Sequence, residues 1–261
     1  MSSYQEILDS ADAIARKAAA TLMSMRDQRL DVTRKEGLDI VTAADLASER
    51  IVIDGLRALT PQASILSEEA GTTGTPGESR WIVDPLDGTI NYASGLPWFS
   101  VTLAYQEQGA TRVGLTVAPA AGFEARYTSD GIATVNGRPA KVSATARLAD
   151  AVIAVVLTSH FSAEEVARTA EIIRRLGIGA RGVRVIVSGA FEYSTVAAGQ
   201  LDAAVSIKAD IVSYAAAMPL LRAAGGKVTT LSGADSVDED TQKIGSNGLI
   251  HDELLEALRD L

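Results

Sequence analysis

The sequence predicts a mixed α/β protein, with helices and a hairpin sheet in its first half and alternating strands and helices in its second. Three observations lead there. Apolar residues between Tyr4 and about Arg29 recur at three- and four-residue spacing; Phe99 to Ser143 contains short β-prone runs separated by turn signals; and from Ala151 onward strand-like and helix-like stretches alternate. A chain of 261 residues, 47% hydrophobic and 22% charged, is long enough to bury a large core as one domain or two. The pattern changes between Thr145 and Asp150, which places the expected boundary between an N-terminal α+β domain, 1–145, and a C-terminal α/β domain, 146–261.

In order, the first helix carries Ile7, Leu8, Ala11, Ile14, Ala15, Ala18, Leu22 and Met23 on one face. A polar loop, Arg34-Lys35-Glu36-Gly37, precedes a second helix over Ala44 to Leu59, with Thr42 as a possible cap. Ala63–Ser67 and Arg80–Asp84 read as strands, each ending in carboxylates, and Gly71–Gly77 between them reads as a flexible loop. Asp130-Gly131 and Asn136-Gly137 are the best hairpin turns of the following sheet. Then come a strand (Ala151–Leu157), a helix (Ala163–Leu176), a strand (Gly182–Val187), a helix (Gly189–Ala198), a strand (Leu201–Ile207) and a helix over Ile211–Ala224. Pro219 should kink that last helix, and Gly225-Gly226 should close it. A final helix is expected from His251 to Leu261.

The formal net charge of −9 and the dispersed Lys and Arg exclude the footprint of a nucleic-acid binder. With no cysteine there is no disulfide, thiolate zinc site or cysteine nucleophile, and the two histidines, His160 and His251, read as surface or capping residues. No stretch reaches the roughly 18 apolar residues of a membrane span, and the N-terminus lacks a basic region followed by an apolar run. The expectation is a soluble cytoplasmic protein with no nucleic-acid or membrane partner.

The chemistry concentrates in Glu68-Glu69 and Asp84-Pro85-Leu86-Asp87-Gly88-Thr89. If the chain turns sharply at Pro85-Leu86, Asp84 and Asp87 face one point, and the Leu86 carbonyl adds an oxygen ligand of the kind hard cations prefer. Gly88-Thr89-Ile90-Asn91 resembles a helix start, where backbone N–H groups favour an anion. Metal beside anion cradle is the equipment of phosphoryl chemistry. The same acid-Pro-x-acid-Gly pattern also describes an ordinary solvated turn; Glu68, at the end of a neighbouring strand, favours the metal reading, whereas Glu69 reads as an outer or surface residue.

Trp81-Ile-Val-Asp-Pro-Leu-Asp-Gly-Thr-Ile-Asn91, followed by Gly95-Leu-Pro-Trp-Phe99, resembles the signature of the inositol monophosphatase family of Mg²⁺-dependent, lithium-sensitive phosphatases. Asp39-Ile-Val-Thr-Ala-Ala-Asp45, Ser67-Glu-Glu69, Asn136-Gly137, Ala197-Ala-Gly-Gln-Leu-Asp202, Ala224-Gly-Gly226 and Ser246-Asn247-Gly248 agree in order and spacing. The resemblance implies a layered αβαβα sandwich of the inositol monophosphatase and sugar phosphatase type, and a homodimer. It implies Mg²⁺, or Mn²⁺, held by Glu68, Asp84, the Leu86 carbonyl and Asp87. Thr89, oriented by Asp45, would position the attacking water with Glu68, and the Gly88 and Thr89 amides would bind phosphate.

The second half departs from the family pattern. Counting back from Ala224-Gly225-Gly226, and forward from Asp202, the position of a metal-binding aspartate is Ser213. A hydroxyl is a poor Mg²⁺ ligand, and one charge at about 4 Å is worth on the order of 4 kcal/mol at an effective dielectric near 20. Losing part of that in the transition state slows the reaction by roughly 10² to 10³. Asp210 stands three residues earlier, as a compensating acid or a helix cap. Ser206 replaces a polyol-binding glutamate, Lys208 follows it, and Arg184, Ser188 and Gly189 match the segment beside the substrate pocket, Arg184 alternatively serving a subunit interface. The expected function is metal-dependent hydrolysis of a small inositol, sugar or related alcohol phosphate by metal-activated water. The alternative is a divergent member with weak or no phosphatase activity that binds a phosphorylated ligand or catalyses another reaction on it.

Overall fold

The computed structural model describes residues 3–26, 32–34, 38 and 40–261. The end of the first expected helix at 27–29, the loop residues Lys35, Glu36 and Gly37, and Asp39 lie outside the described residues.

Helix α1 (Tyr4–Met25) starts at a capping box in which Ser3 and Glu6 satisfy each other's backbone N–H groups. Its face of Ile7, Leu8, Ala11, Ala15, Ala18 and Leu22 is buried, while Met23 points outward. Strands β1 (Val32–Arg34) and β2 (Ile40–Thr42) pair antiparallel, so Arg34 belongs to a strand and not to a loop. Helix α2 (Ala43–Leu59) follows, capped by Thr42 and Asp45.

Next come β3 (Ser64–Ser67), β4 (Gly71–Thr73) and β5 (Ser79–Asp87). The glycine-rich segment expected to be a loop thus begins as a strand, its residues pairing with Ile65, Leu66 and Ser67. After α3 (Thr89–Ala93) the hairpins β6 (Ser100–Glu107), β7 (Ala110–Ala118), β8 (Phe123–Thr128), β9 (Ala133–Val135) and β10 (Arg138–Pro139) complete an eight-stranded sheet in the order β10-β9-β8-β7-β6-β5-β3-β4. Both expected turns are present, and Gln108-Gly109 forms another between β6 and β7 with positive φ at both residues.

The second sheet has five strands: β11 (Val152–Val155), β12 (Gly182–Arg184), β13 (Ala203–Ser206), β14 (Lys227–Thr229) and β15 (Lys243–Ser246), in the order β12-β11-β13-β15-β14. Three are parallel, and the last two, which sequence patterning does not reveal, join antiparallel. Among them run α4 (Ala163–Gly179), α5 (Gly189–Ala197), α6 (Ile211–Tyr214), α7 (Ala217–Ala223) and α8 (His251–Ala257). The helix expected over Ile211–Ala224 is two helices, broken at Ala215-Ala216. A proline ring clashes with the carbonyl four residues earlier, and for Pro219 that residue is Ala215.

The layering follows from which faces are apolar. The buried residues of α1 and α2 pack on one face of the eight-stranded sheet. Residues of α5 and α7 join Phe123 and Ala125 on one side and Ala154 and Ala204 on the other, so these helices lie between the sheets. Ile172 and Leu176 of α4 and Leu254 of α8 cover the outer face of the five-stranded sheet. The result is the αβαβα sandwich.

Candidate active site

Asp84 and Asp87 sit three residues apart, which in a regular strand would point them to opposite faces. Strand β5 does not end at Asp84 as expected; it continues to Asp87 through a bulge, Asp84 facing Thr102 and Asp87 facing Ser100. Pro85, which has no N–H to donate, falls at the irregularity. The disturbed alternation brings both carboxylates to a cavity of about 490 Å³, lined also by Glu68, Leu86, Gly88, Thr89, Asp210 and Ser213.

One face of α2 holds the carboxylate-bearing strand ends in place. Asp45 accepts from Thr89 Oγ1 at 2.8 Å through one carboxylate oxygen, and from the Thr42 amide and hydroxyl at 2.8 and 2.6 Å through the other. Ser48 Oγ donates to the Pro85 carbonyl at 2.7 Å, fixing the bulge. Glu49 accepts from Ser67 Oγ at 2.6 Å and the Ala70 amide at 2.9 Å, bracketing Glu68-Glu69. Sequence reading missed Ser48 and Glu49. Their spacing of three and four from Asp45, on the face that continues as Val52 and Leu56, was the available signal.

The two aspartates have different environments. Asp84 is fully buried, accepts from the Leu86 amide at 3.1 Å, and lies 3.5 Å from Ser213 Oγ. Burial first, then the negative charges of Glu68, Asp87 and Asp210, holds its carboxyl well above the usual range. Asp87 accepts from Ser188 Oγ at 2.6 Å, Ser100 Oγ at 3.2 Å, and the Gly189 and Ala190 amides at 3.2 and 3.1 Å. Burial pushes its pKa up to about 6, with the Ser188 hydrogen bond pulling against that rise.

Gly88, at φ 87°, leaves no room for a side chain: a Cβ would meet the Trp98 carbonyl oxygen at 2.7 Å. Thr89 Oγ1 is also 3.1 Å from the Leu86 carbonyl. Ser213 and Asp210 stand across the cavity. Asp210 caps α6, accepting from the Ser213 amide at 2.7 Å and lying 3.2 Å from the Ser213 hydroxyl, so the expected cap also places a carboxylate beside the serine.

Other expected pocket residues divide. Gly189 lines the cavity, packed so closely on Tyr214 that a Cβ would lie 2.8 Å from its ring. Lys208 lines it too, but its ammonium is turned to Glu165 at 3.0 Å and the His160 carbonyl at 3.1 Å. Ser188 is buried behind the cavity on Asp87, Ser206 is buried with its hydroxyl oxygen accepting from the Lys208 amide, and exposed Arg184 bonds the Val183 carbonyl. Neither Arg184, Ser188 nor Ser206 lines the cavity. His160 is exposed at its rim. His251 is a correction: it is wholly buried between Thr229 Oγ1 at 3.0 Å and Ser246 Oγ at 2.8 Å, and burial lowers its pKa to about 4. It sits in the second sheet's core, where the apolar spacing of α8 alone gives no sign of a buried imidazole.

Among the described residues, no three acidic or imidazole side chains are gathered tightly enough to ligate an ion as they stand. The donor set nevertheless suits a hard divalent cation. Asp84, Asp87 and Asp210 repel one another across one cavity, and none meets a Lys or Arg among the described residues. Such a site is relieved by positive charge and offers only oxygen ligands.

Residues 3–261 match the model of the inositol monophosphatase family. A Thermotoga maritima protein named fructose-1,6-bisphosphatase/inositol-1-monophosphatase is 34% identical over 97% of this chain and 96% of its own. The Escherichia coli protein named Nus factor SuhB is 31% identical over 97% and 96%. A solved Thermotoga maritima IMPase superposes with a TM-score of 0.90 at 33% identity, covering 98% of this chain and 97% of that one, and the extragenic suppressor protein suhB of Bartonella henselae does so with 0.92 at 29%, covering 98% and 99%. With the bulged Asp84–Asp87 strand and the Thr89–Asp45 pair already in place, a full-length match of this extent leaves one assignment: the chain belongs to the inositol monophosphatase family.

Proposed function

We propose that this protein hydrolyses a phosphate monoester of a small alcohol, with a divalent metal, Mg²⁺ or Mn²⁺, as its cofactor. The observation that carries the reading is the carboxylate group of Glu68, Asp84 and Asp87 beside a threonine whose hydroxyl is committed to a buried aspartate. Glu68, Asp84, the Leu86 carbonyl and Asp87 would hold the metal. When bound it supplies charge neutralisation for phosphate oxygens and lowers the pKa of water.

The chain's own residues supply position. Thr89 donates its proton to Asp45, which leaves its oxygen lone pairs to accept from an incoming water and fix its direction. Glu68, at the cavity wall and close to Asp84, is placed to take a proton from that water. The Gly88 and Thr89 amides, at the start of α3, hold the phosphate oxygens. Phosphate release from a panel of inositol, sugar, nucleotide and amino-alcohol phosphates with Mg²⁺ or Mn²⁺ tests this; release from none would overturn it.

Ser213 supports a second reading, in which the chain binds a phosphorylated ligand with weak or no hydrolysis. Its neutral hydroxyl stands 3.5 Å from Asp84, where a carboxylate would add a metal ligand. Ser213→Asp separates the two: a large gain in hydrolysis favours the second reading, and no gain favours the first.

A further inference from the structure

Val187 has φ 63°, in the left-handed region, where a β-branched side chain is strained. It lines the cavity together with Ile211 and Val212. Its backbone is gripped from two sides. Glu192, wholly buried in α5, accepts through Oε1 from the amides of Ile186 at 3.3 Å and Val187 at 3.0 Å. Asn91, buried in α3, donates through Nδ2 to the carbonyls of Ile186 at 2.6 Å, Val187 at 3.2 Å and Trp98 at 2.8 Å. The residues that follow, Ser188 to Ala190, are the ones that donate to Asp87.

A glycine would adopt this backbone without strain, so the isopropyl group is kept against a cost, and the surroundings over-determine the conformation that presents it. We infer that Val187 is a specificity-determining residue that receives an apolar face of the substrate's alcohol portion, with Glu192 and Asn91 as the positioning residues that hold it there. The inference rests on the phosphomonoesterase reading and names its substrate class: alcohol phosphates with a hydrocarbon face rather than fully hydroxylated rings. Hydroxyls pressed against Val187, Ile211 and Val212 would leave water without gaining a partner. Ser206 offers none, being buried outside the cavity with its hydroxyl oxygen accepting from the Lys208 amide.

Cyclohexyl phosphate and inositol 1-phosphate share a ring and differ in hydroxyls, which makes their kcat/KM ratio the direct readout. The wild-type protein should favour cyclohexyl phosphate by about tenfold or more, and Val187→Thr, of the same shape, should move the ratio about tenfold toward the polyol. Val187→Gly should do likewise while raising the melting temperature, because it releases the strained backbone. Glu192→Leu should impair hydrolysis of both esters and move the ratio toward the polyol, while Glu192→Gln should retain both the rate and the ratio; a merely structural role for Glu192 would lower the rate without moving the ratio. A ratio unchanged by Val187→Thr, in a protein that hydrolyses either ester, overturns the inference alone. Hydrolysis of no ester overturns the phosphatase reading and this inference with it.

Discussion

Across the cavity from one another stand two dissimilar walls. Glu68, Asp84, Asp87 and Thr89 come from the ends of β3 and β5 and the start of α3, braced by Asp45, Ser48 and Glu49 of one helix. Opposite are Ser213, Asp210 and the aliphatic groups of Val187, Ile211 and Val212, carried by a loop and a four-residue helix. The first wall concentrates negative charge in a dry setting, as the raised pKa values of Asp84 and Asp87 show. The second adds one carboxylate, hydroxyls and hydrocarbon. Under the proposed reading, binding of metal and phosphate belongs to the first wall, whereas rate and choice of alcohol are open to adjustment on the second.

Breaking the first wall should have the largest effect. Asp84→Asn removes a proposed metal ligand and should lower kcat/KM by about 10³-fold or more in the phosphate-release assay. It also removes a carboxylate repelled by Glu68, Asp87 and Asp210, so the metal-free protein should melt no earlier than wild type in a thermal scan. A parallel loss of fold and activity would show that Asp84 is structural.

Strengthening the second wall comes next. Ser213→Asp should raise kcat by about 10²-fold if the missing charge limits the reaction. Asp210→Asn tests the carboxylate already present, since asparagine caps a helix about as well as aspartate but carries no charge. It should weaken Mn²⁺ binding, measured by calorimetry, by about tenfold if the Asp210 charge is felt at the metal, and leave it unchanged if Asp210 only caps α6.

The smallest expected effect concerns the support between the walls. Burial raises the Glu192 pKa from 4.5 to about 8, so the folded chain keeps a proton that the unfolded chain has lost. Stability contributed by this group is present below about pH 4.5, declines as pH rises to about 8, and is then lost. The slope should be of order 1 kcal/mol per pH unit in denaturant unfolding, and Glu192→Gln should flatten it.

Much of the first wall was legible because its information is local. Acid-Pro-Leu-acid-Gly-Thr places two carboxylates, a proline at the bulge and a glycine at the tight approach within six residues. Ser48 and Glu49 escaped notice because polar side chains on an amphipathic helix normally face water; only the strands laid against α2 show what they grip. The two halves of the second sheet differ in the same way. Parallel strands alternating with helices announced themselves, while Lys227–Thr229 and Lys243–Ser246 are three and four residues long and acquire strand character only by pairing with β13 and each other.

By itself the sequence determined the helices with full apolar faces, the hairpin turns, the family and the carboxylate motif, since each is written in residue types at short fixed spacing. Tertiary structure alone decided which of the matched residues meet. Ser188 and Ser206 were drawn into the interior, His251 was buried between two hydroxyls, and Val187 was turned into the cavity by contacts with Asn91 and Glu192, one of them 96 positions away. The reason is physical. A bulge, a left-handed valine and a buried acid are each unfavourable locally, and they persist only where packing and hydrogen bonds from distant segments offset the cost.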